Sequence, residues 1–92
     1  LPVRHGGEEF VVVMPDTELE DARRIAERIR LHVAGSPFRV MDGKELLSVT
    51  ISVGVATSLG PEETSQALFK RADEAVYEAK SGGRNRVVAR AA

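Results

Sequence analysis

The sequence contains no cysteine. That excludes a disulfide framework, a thiolate zinc site, an iron–sulfur cluster and a cysteine nucleophile, and it makes the cytoplasm the default compartment. Its two histidines, His5 and His32, are too few for a histidine-rich metal site. No apolar run approaches the roughly 20 residues that cross a bilayer, so a membrane segment is not expected. The start, Leu1-Pro2-Val3-Arg4, has neither the charged-then-apolar form of a signal peptide nor an initiator Met, and the expectation is processing or excision from a longer polypeptide. Neither sign of charge dominates. Thirteen Lys and Arg against fourteen Asp and Glu leave a formal charge of −1, which removes the broad attraction that non-specific nucleic-acid binders use. What remains is a chain of 92 residues, 42% hydrophobic and 29% charged, the composition of one folded soluble domain with a thin core.

The first strong apolar run, Phe10-Val11-Val12-Val13-Met14, is β-branched and closed by Pro15-Asp16, and it reads as a strand buried on both faces. Gly6-Gly7 before it suits a tight turn at Arg4-His5-Gly6-Gly7-Glu8, with residues 1–3 as the stub of an incoming strand. Thr17 followed by Glu20 has the form of a capping box. Leu19, Ala22, Ile25, Ala26, Ile29 and Val33 then recur at helical spacing, which predicts a helix over 17–34 that Gly35-Ser36-Pro37 stops. Asp42-Gly43 is the pair that a type I′ turn prefers, so a small hairpin is expected around it. Val49, Ile51, Val53 and Val55 then alternate with Ser48, Thr50, Ser52, Gly54 and Ala56, a long strand with one small, smooth face. Such a face either packs closely against something or lets backbone approach a ligand. Thr64 or Ser65 can cap a second helix carrying Leu68, Ala72, Ala75, Val76 and Ala79, which ends at Ser81-Gly82-Gly83. Val87-Val88-Ala89 makes a short last strand. The expected architecture is α/β (α+β), a mixed sheet with its helices on one face.

The densest chemical signal is Arg4-His5-Gly6-Gly7-Glu8-Glu9-Phe10. Paired carboxylates beside glycines suit a Mg²⁺-assisted phosphate site, since hard cations take oxygen ligands and glycine lets a phosphate approach the backbone. Side chains alternate along a strand, so Glu8 and Glu9 cannot both aim at one ion if the segment is extended. On residue types alone, a solvated acidic hairpin tip is the better explanation of the pair. From Lys80 onward there are four cations, Lys80, Arg84, Arg86 and Arg90, and no acid. Lys80 and Arg84 at one helix end could hold a triphosphate, or Lys80 could simply complement the helix C-terminus.

Gly6-Gly7-Glu8-Glu9-Phe10 resembles the Gly-Gly-(Asp/Glu)-Glu-Phe signature of the GGDEF-domain diguanylate cyclases, with the customary Arg4 two residues ahead. The likeness runs through Met14-Pro15, the helix from Ala22 to Arg30, Val49-Thr50-Ile51-Ser52-Val53-Gly54-Val55, and Ala72-Asp73 with Ala75, Val76, Tyr77, Ala79 and Lys80. It closes on Gly83-Arg84-Asn85-Arg86. The resemblance implies a palm or ferredoxin-like, largely antiparallel nucleotidyl cyclase fold, of which residues 1–92 are the C-terminal half of a single domain. It implies condensation of two GTP into cyclic di-GMP by an antiparallel pair of such domains, a homodimer, with Mg²⁺ or Mn²⁺. Glu8 would be the metal-ligating, catalytic carboxylate and Glu9 its catalytic neighbour. Gly6 and Gly7 would approach the nucleotide, and Lys80 and Arg84 would bind its phosphates. Arg28 and Arg4 are candidate contacts for cyclic di-GMP acting as an inhibitor.

The same resemblance places the guanine-reading residues, a metal-binding Asp, an inhibitory Arg-x-x-Asp and a first, central strand upstream of Leu1, together with an N-terminal regulatory domain such as a receiver. This chain alone is therefore expected to be inactive. Without the central strand, the Phe10 to Met14 strand is expected to lack its inner neighbour and to pair with another chain. The alternative is a degenerate, non-catalytic domain that binds nucleotide or protein.

Overall fold

The computed structural model describes residues 3–14, 16–40, 42–43 and 45–91, with residues 3–6, 38, 40 and 45 described by backbone alone. Its organising element is β3 (Glu45–Ala56), whose alternation buries both faces in the second half of the strand. Ile51, Val53 and Val55 pack on Ala22 and Ala26 of α1 (Leu19–Ala34). On the opposite face Ala56 packs on Leu68 and Ala72 of α2 (Ser65–Ser81). Val53 and Val55 are the largest fully buried side chains, each worth about 1.5–3 kcal/mol of burial. The smooth face is explained by Gly54, which lies directly under the α2 backbone at Ala72 and Val76.

The partners of β3 are mainly parallel. β1 (Val3–Val13) runs parallel along Leu46–Ala56, with Phe10 opposite Val53 and Val12 opposite Val55. On the other edge β4 (Arg86–Arg90) pairs parallel with Ser52–Ala56, while β2 (Phe38–Val40) pairs antiparallel with residues 45–47. Only the hairpin is antiparallel, so the expected largely antiparallel sheet is corrected to a parallel core. The helices also lie on opposite faces of the sheet, not on one. Because β1, β3 and β4 lie in that order, the two crossovers then have opposite hands, and one is the left-handed kind that parallel sheets nearly always avoid.

Several local expectations change with it. The turn expected at Arg4 to Glu8 is instead continuous strand, because every residue from Val3 to Val13 is paired along β3 and Gly7 keeps ordinary φ. The Phe10 to Met14 segment is an edge and not a strand buried on both faces: Phe10 is 50% exposed, because only one side of β1 has a partner. Its inner neighbour is β3 itself, which occupies the position expected to be empty. Thr17 makes no capping box. Its N–H donates to the Met14 carbonyl, and α1 begins after Glu18 with no side-chain cap. Thr64 does cap α2, its hydroxyl accepting from the Ala67 N–H at 3.1 Å. Asp42 and Gly43 hold φ of 56° and 82°, as a type I′ turn requires, although Met41 and Lys44 lie outside the described residues.

β1 and β3 extend beyond the helices as an arm, giving principal extents of 52 × 22 × 18 Å. The radius of gyration is 15.2 Å, against about 12 Å for a compact chain of this length. The two signature glutamates sit where this arm meets the body.

Opposite that arm, Arg71 of α2 clamps the far end of the sheet. It donates to the Glu63 carboxylate at 2.8 and 2.9 Å, to the Thr57 carbonyl at 2.5 Å and to the Arg90 carbonyl at 3.2 Å. Arg71, then the Leu59 N–H, hold the Glu63 carboxyl below its ordinary value of 4.5. A lowered folded-state pKa means the stabilisation is present above pH 4.5 and is lost as pH falls through the folded value. Thermal melting between pH 7 and pH 3 should therefore show a fall in Tm on the acid side that Glu63→Gln flattens, with Glu63→Gln already lower at pH 7.

Candidate functional site

Strand alternation separates the two carboxylates. Glu8 lies opposite Ile51 and shares the α1 face, whereas Glu9 lies opposite Ser52 and shares the α2 face. Both are exposed. On the α2 face the last turn of α2 brings Lys80 to Glu9, Nζ to Oε1 at 2.8 Å. The pair is about 34% and 45% exposed, a setting in which an ion pair is worth only about 0–1 kcal/mol. A more highly charged oxyanion can therefore replace the Glu9 carboxylate on Lys80 at little cost.

After Lys80 the chain turns back on itself. The Gly82, Gly83 and Arg84 N–H groups donate to the Glu78, Lys80 and Ala79 carbonyls at 2.8, 3.2 and 2.9 Å, which satisfies the end of α2. Gly83, Arg84 and Asn85 follow with φ of 120°, 64° and 47°. The left-handed region costs Arg84 about 1–2 kcal/mol, whereas Asn85 is of a type that takes it more readily, so the turn is held against preference at Arg84. The Asn85 N–H donates to the Ser52 hydroxyl at 3.2 Å. Arg30 of α1 donates to the Asn85 side-chain oxygen at 2.8 Å and to its carbonyl at 3.4 Å, and Arg86 donates to the Arg84 carbonyl at 3.0 Å. Gly82 and Gly83 leave room for the Arg86 guanidinium, which a Cβ at Gly83 would meet at 2.5 Å.

The candidate residues thus divide. Lys80 and Glu9 are joined, and Arg84 stands at the same end of α2 as Lys80, as its spacing suggested. Glu8 faces the other way, and Glu8 and Glu9 do not share one point. A Cβ on Gly7 would meet nothing within 4 Å, so the strand surface there is open. Gly6 lies opposite Val49, Arg28 is exposed on α1, and Arg4 is placed opposite Leu47 with its side chain outside the description. Among the described residues no group of three His, Asp or Glu converges, so the exposed carboxylates of Glu8 and Glu9 do not by themselves make a complete cation site. No described helix is long and apolar enough to cross a membrane.

Ser52, Asn85 and Arg30 were not singled out from the sequence. Glu27 and Arg30 are spaced for an ion pair within α1, and they form one. The reach from Arg30 to Asn85 spans 55 residues and has no local signal.

Comparison with known proteins gives the family. The family model described as diguanylate cyclase, GGDEF domain, matches residues 1–86. The chain is 65% identical over all 92 residues to the response regulator PleD of Caulobacter vibrioides, covering 20% of that protein. It is 46% identical over 84 residues, 91% of the chain, to diguanylate cyclase DgcP of Pseudomonas aeruginosa, covering 12% of it. It is also 46% identical over 89 residues, 97% of the chain, to diguanylate cyclase DgcM of Escherichia coli K12, covering 20%. The chain therefore spans a fifth or less of the length of these relatives. With its signature strand, its long β3 and its Gly83-Arg84-Asn85-Arg86 turn all inside the matched region, the chain belongs to the GGDEF family.

Proposed function

We propose that this chain supplies the carboxylate and phosphate-binding parts of a diguanylate cyclase domain that condenses two GTP into cyclic di-GMP. The observation that carries the reading is the meeting of Lys80 with Glu9, which joins the signature strand to the cationic end of α2. In the reaction a ribose 3′-oxygen forms a bond to an α-phosphorus, the bond from that phosphorus to pyrophosphate breaks, and the hydroxyl proton passes to a base. Lys80 and Arg84 bind the triphosphate, the β- and γ-phosphates displacing the Glu9 carboxylate from Lys80. Gly7 leaves the strand surface open, and Gly6 and Gly7 are the pair assigned to the approach of the nucleotide. Glu8, on the other face of the edge strand from Lys80, is the carboxylate assigned to a divalent cation, Mg²⁺ or Mn²⁺, and to the proton, which requires the nucleotide to pass over the open edge of β1. The remaining cation ligands and the guanine contacts come from outside these residues. When bound, the cation neutralises phosphate charge.

The reaction joins two nucleotides, so two such domains face each other in a homodimer. A regulatory domain ahead of this chain, as the name of the response-regulator relative suggests, and a cytoplasmic location complete the proposal. Arg28 and Arg4 are the candidate contacts for cyclic di-GMP as an inhibitor.

A cation that binds the triphosphate acts in the ground state and the transition state alike. In the full-length polypeptide Lys80→Ala should therefore raise the Kd for GTP about tenfold and leave most of kcat. Calorimetric titration of GTP tests it, and an unchanged Kd removes Lys80 from the site.

A further inference from the structure

We propose that Asn85 is the positioning residue that fixes Arg84 for phosphate, a step that rests on the reading of Arg84 as a phosphate ligand. A helix that ends in a left-handed residue needs only one, and Gly83 supplies it with φ of 120°. Here two further residues carrying side chains, Arg84 and Asn85, are held left-handed at 64° and 47°. A simple connection from helix to strand does not require this, and at Arg84, which lacks the ease of Asn in this region, such backbone persists only where the surroundings over-determine it.

Those surroundings are specific. Arg84 is fastened on both sides: its N–H to Ala79 at 2.9 Å, its carbonyl to Arg86 at 3.0 Å, and the next N–H to the buried Ser52 hydroxyl at 3.2 Å. The Asn85 side chain then anchors the turn to α1. Arg30 has only donors, so the amide oxygen must face it, at 2.8 Å. Arg30 is itself held by Glu27, whose carboxylate accepts from its Nε at 3.0 Å. The chain from Glu27 through Arg30 and Asn85 to Ser52 therefore ties α1, the turn and β3 together around Arg84. The Arg84 side chain makes no part of this network and stays exposed, and its backbone closes the end of α2 that carries Lys80. Its guanidinium is presented from a backbone that cannot relax, which is how a planar donor reaches a phosphate with little ordering cost.

The test is a double-mutant cycle on GTP affinity in the full-length polypeptide, using Arg84→Ala, Asn85→Ala and the two combined. Asn85→Ala should raise the Kd for GTP about tenfold, and in the Arg84→Ala background it should add almost nothing. Asn85→Gly, which takes left-handed φ freely, should match Asn85→Ala in affinity while melting above it, since it loses the Arg30 contact but not the backbone fit. Arg30→Lys, which lacks the planar fork, should show the same coupling in smaller degree. If Arg84→Ala weakens GTP and Asn85→Ala does not, or if the two effects multiply, positioning by Asn85 is overturned while phosphate binding by Arg84 stands. If Arg84→Ala leaves GTP affinity unchanged, the phosphate reading itself fails and the positioning role falls with it.

Discussion

Gly54→Ala should strongly destabilise the fold. A Cβ at Gly54 would run into the Ala72 carbonyl oxygen and the Val76 nitrogen and would stand 2.9 Å from the Val76 Cα. All three are backbone atoms of α2, so no rotamer change relieves them and the whole helix must lift. Lifting α2 uncovers Ala56, Leu68 and Ala72, the core on that face, and pulls Arg71 from the Thr57 and Arg90 carbonyls. Overpacking against side chains typically costs about 1–3 kcal/mol, and against fixed backbone the upper end or more applies. A domain of this size has only about 5–14 kcal/mol in total. Urea denaturation followed by circular dichroism should show the midpoint falling by a third or more. A midpoint equal to that of the parent would mean that α2 does not seat on Gly54. Gly7→Ala serves as the contrast, since a Cβ there meets nothing.

Much of this fold was legible in local chemistry. The alternation of Val49 to Val55, the helical spacing of Leu68, Ala72, Ala75 and Ala79, and Asp42-Gly43 each have one short-range physical meaning, and the structure keeps them. What local chemistry could not give was pairing. A run such as Phe10 to Val13 reads as strand whether it is central or an edge, and here its one partner is β3. Gly6-Gly7 was read as a turn because glycine permits one, yet glycine also permits extended backbone once β3 offers a ladder. The site followed the same rule. Glu8 and Glu9 stood out by residue type, Lys80 and Arg84 chiefly through the family resemblance, and the opposite orientation of the two glutamates followed from strand alternation. The contacts from Glu9 to Lys80 and from Arg30 to Asn85 cross most of the chain and needed coordinates.

Glu8→Gln should abolish cyclic di-GMP synthesis in the full-length polypeptide. The side chain is exposed on an edge strand and lies apart from the core clusters, so its loss removes charge and not packing. Gln keeps the shape and one carbonyl oxygen but cannot carry the negative charge that a divalent cation binds, nor accept the proton of a ribose hydroxyl. Loss of one preorganised group at a charged transition state commonly costs about 10²–10³ in rate, and a residue in both roles should reach or exceed that. GTP affinity should fall far less, because Lys80 and Arg84 remain. The deciding measurement is product formation from GTP and Mg²⁺, quantified by mass spectrometry for the parent polypeptide and for Glu8→Gln, with melting curves recorded for both. The account predicts cyclic di-GMP from the parent, none above background from Glu8→Gln, and coincident melting. Equal product from the two, or no product from the parent, would contradict it.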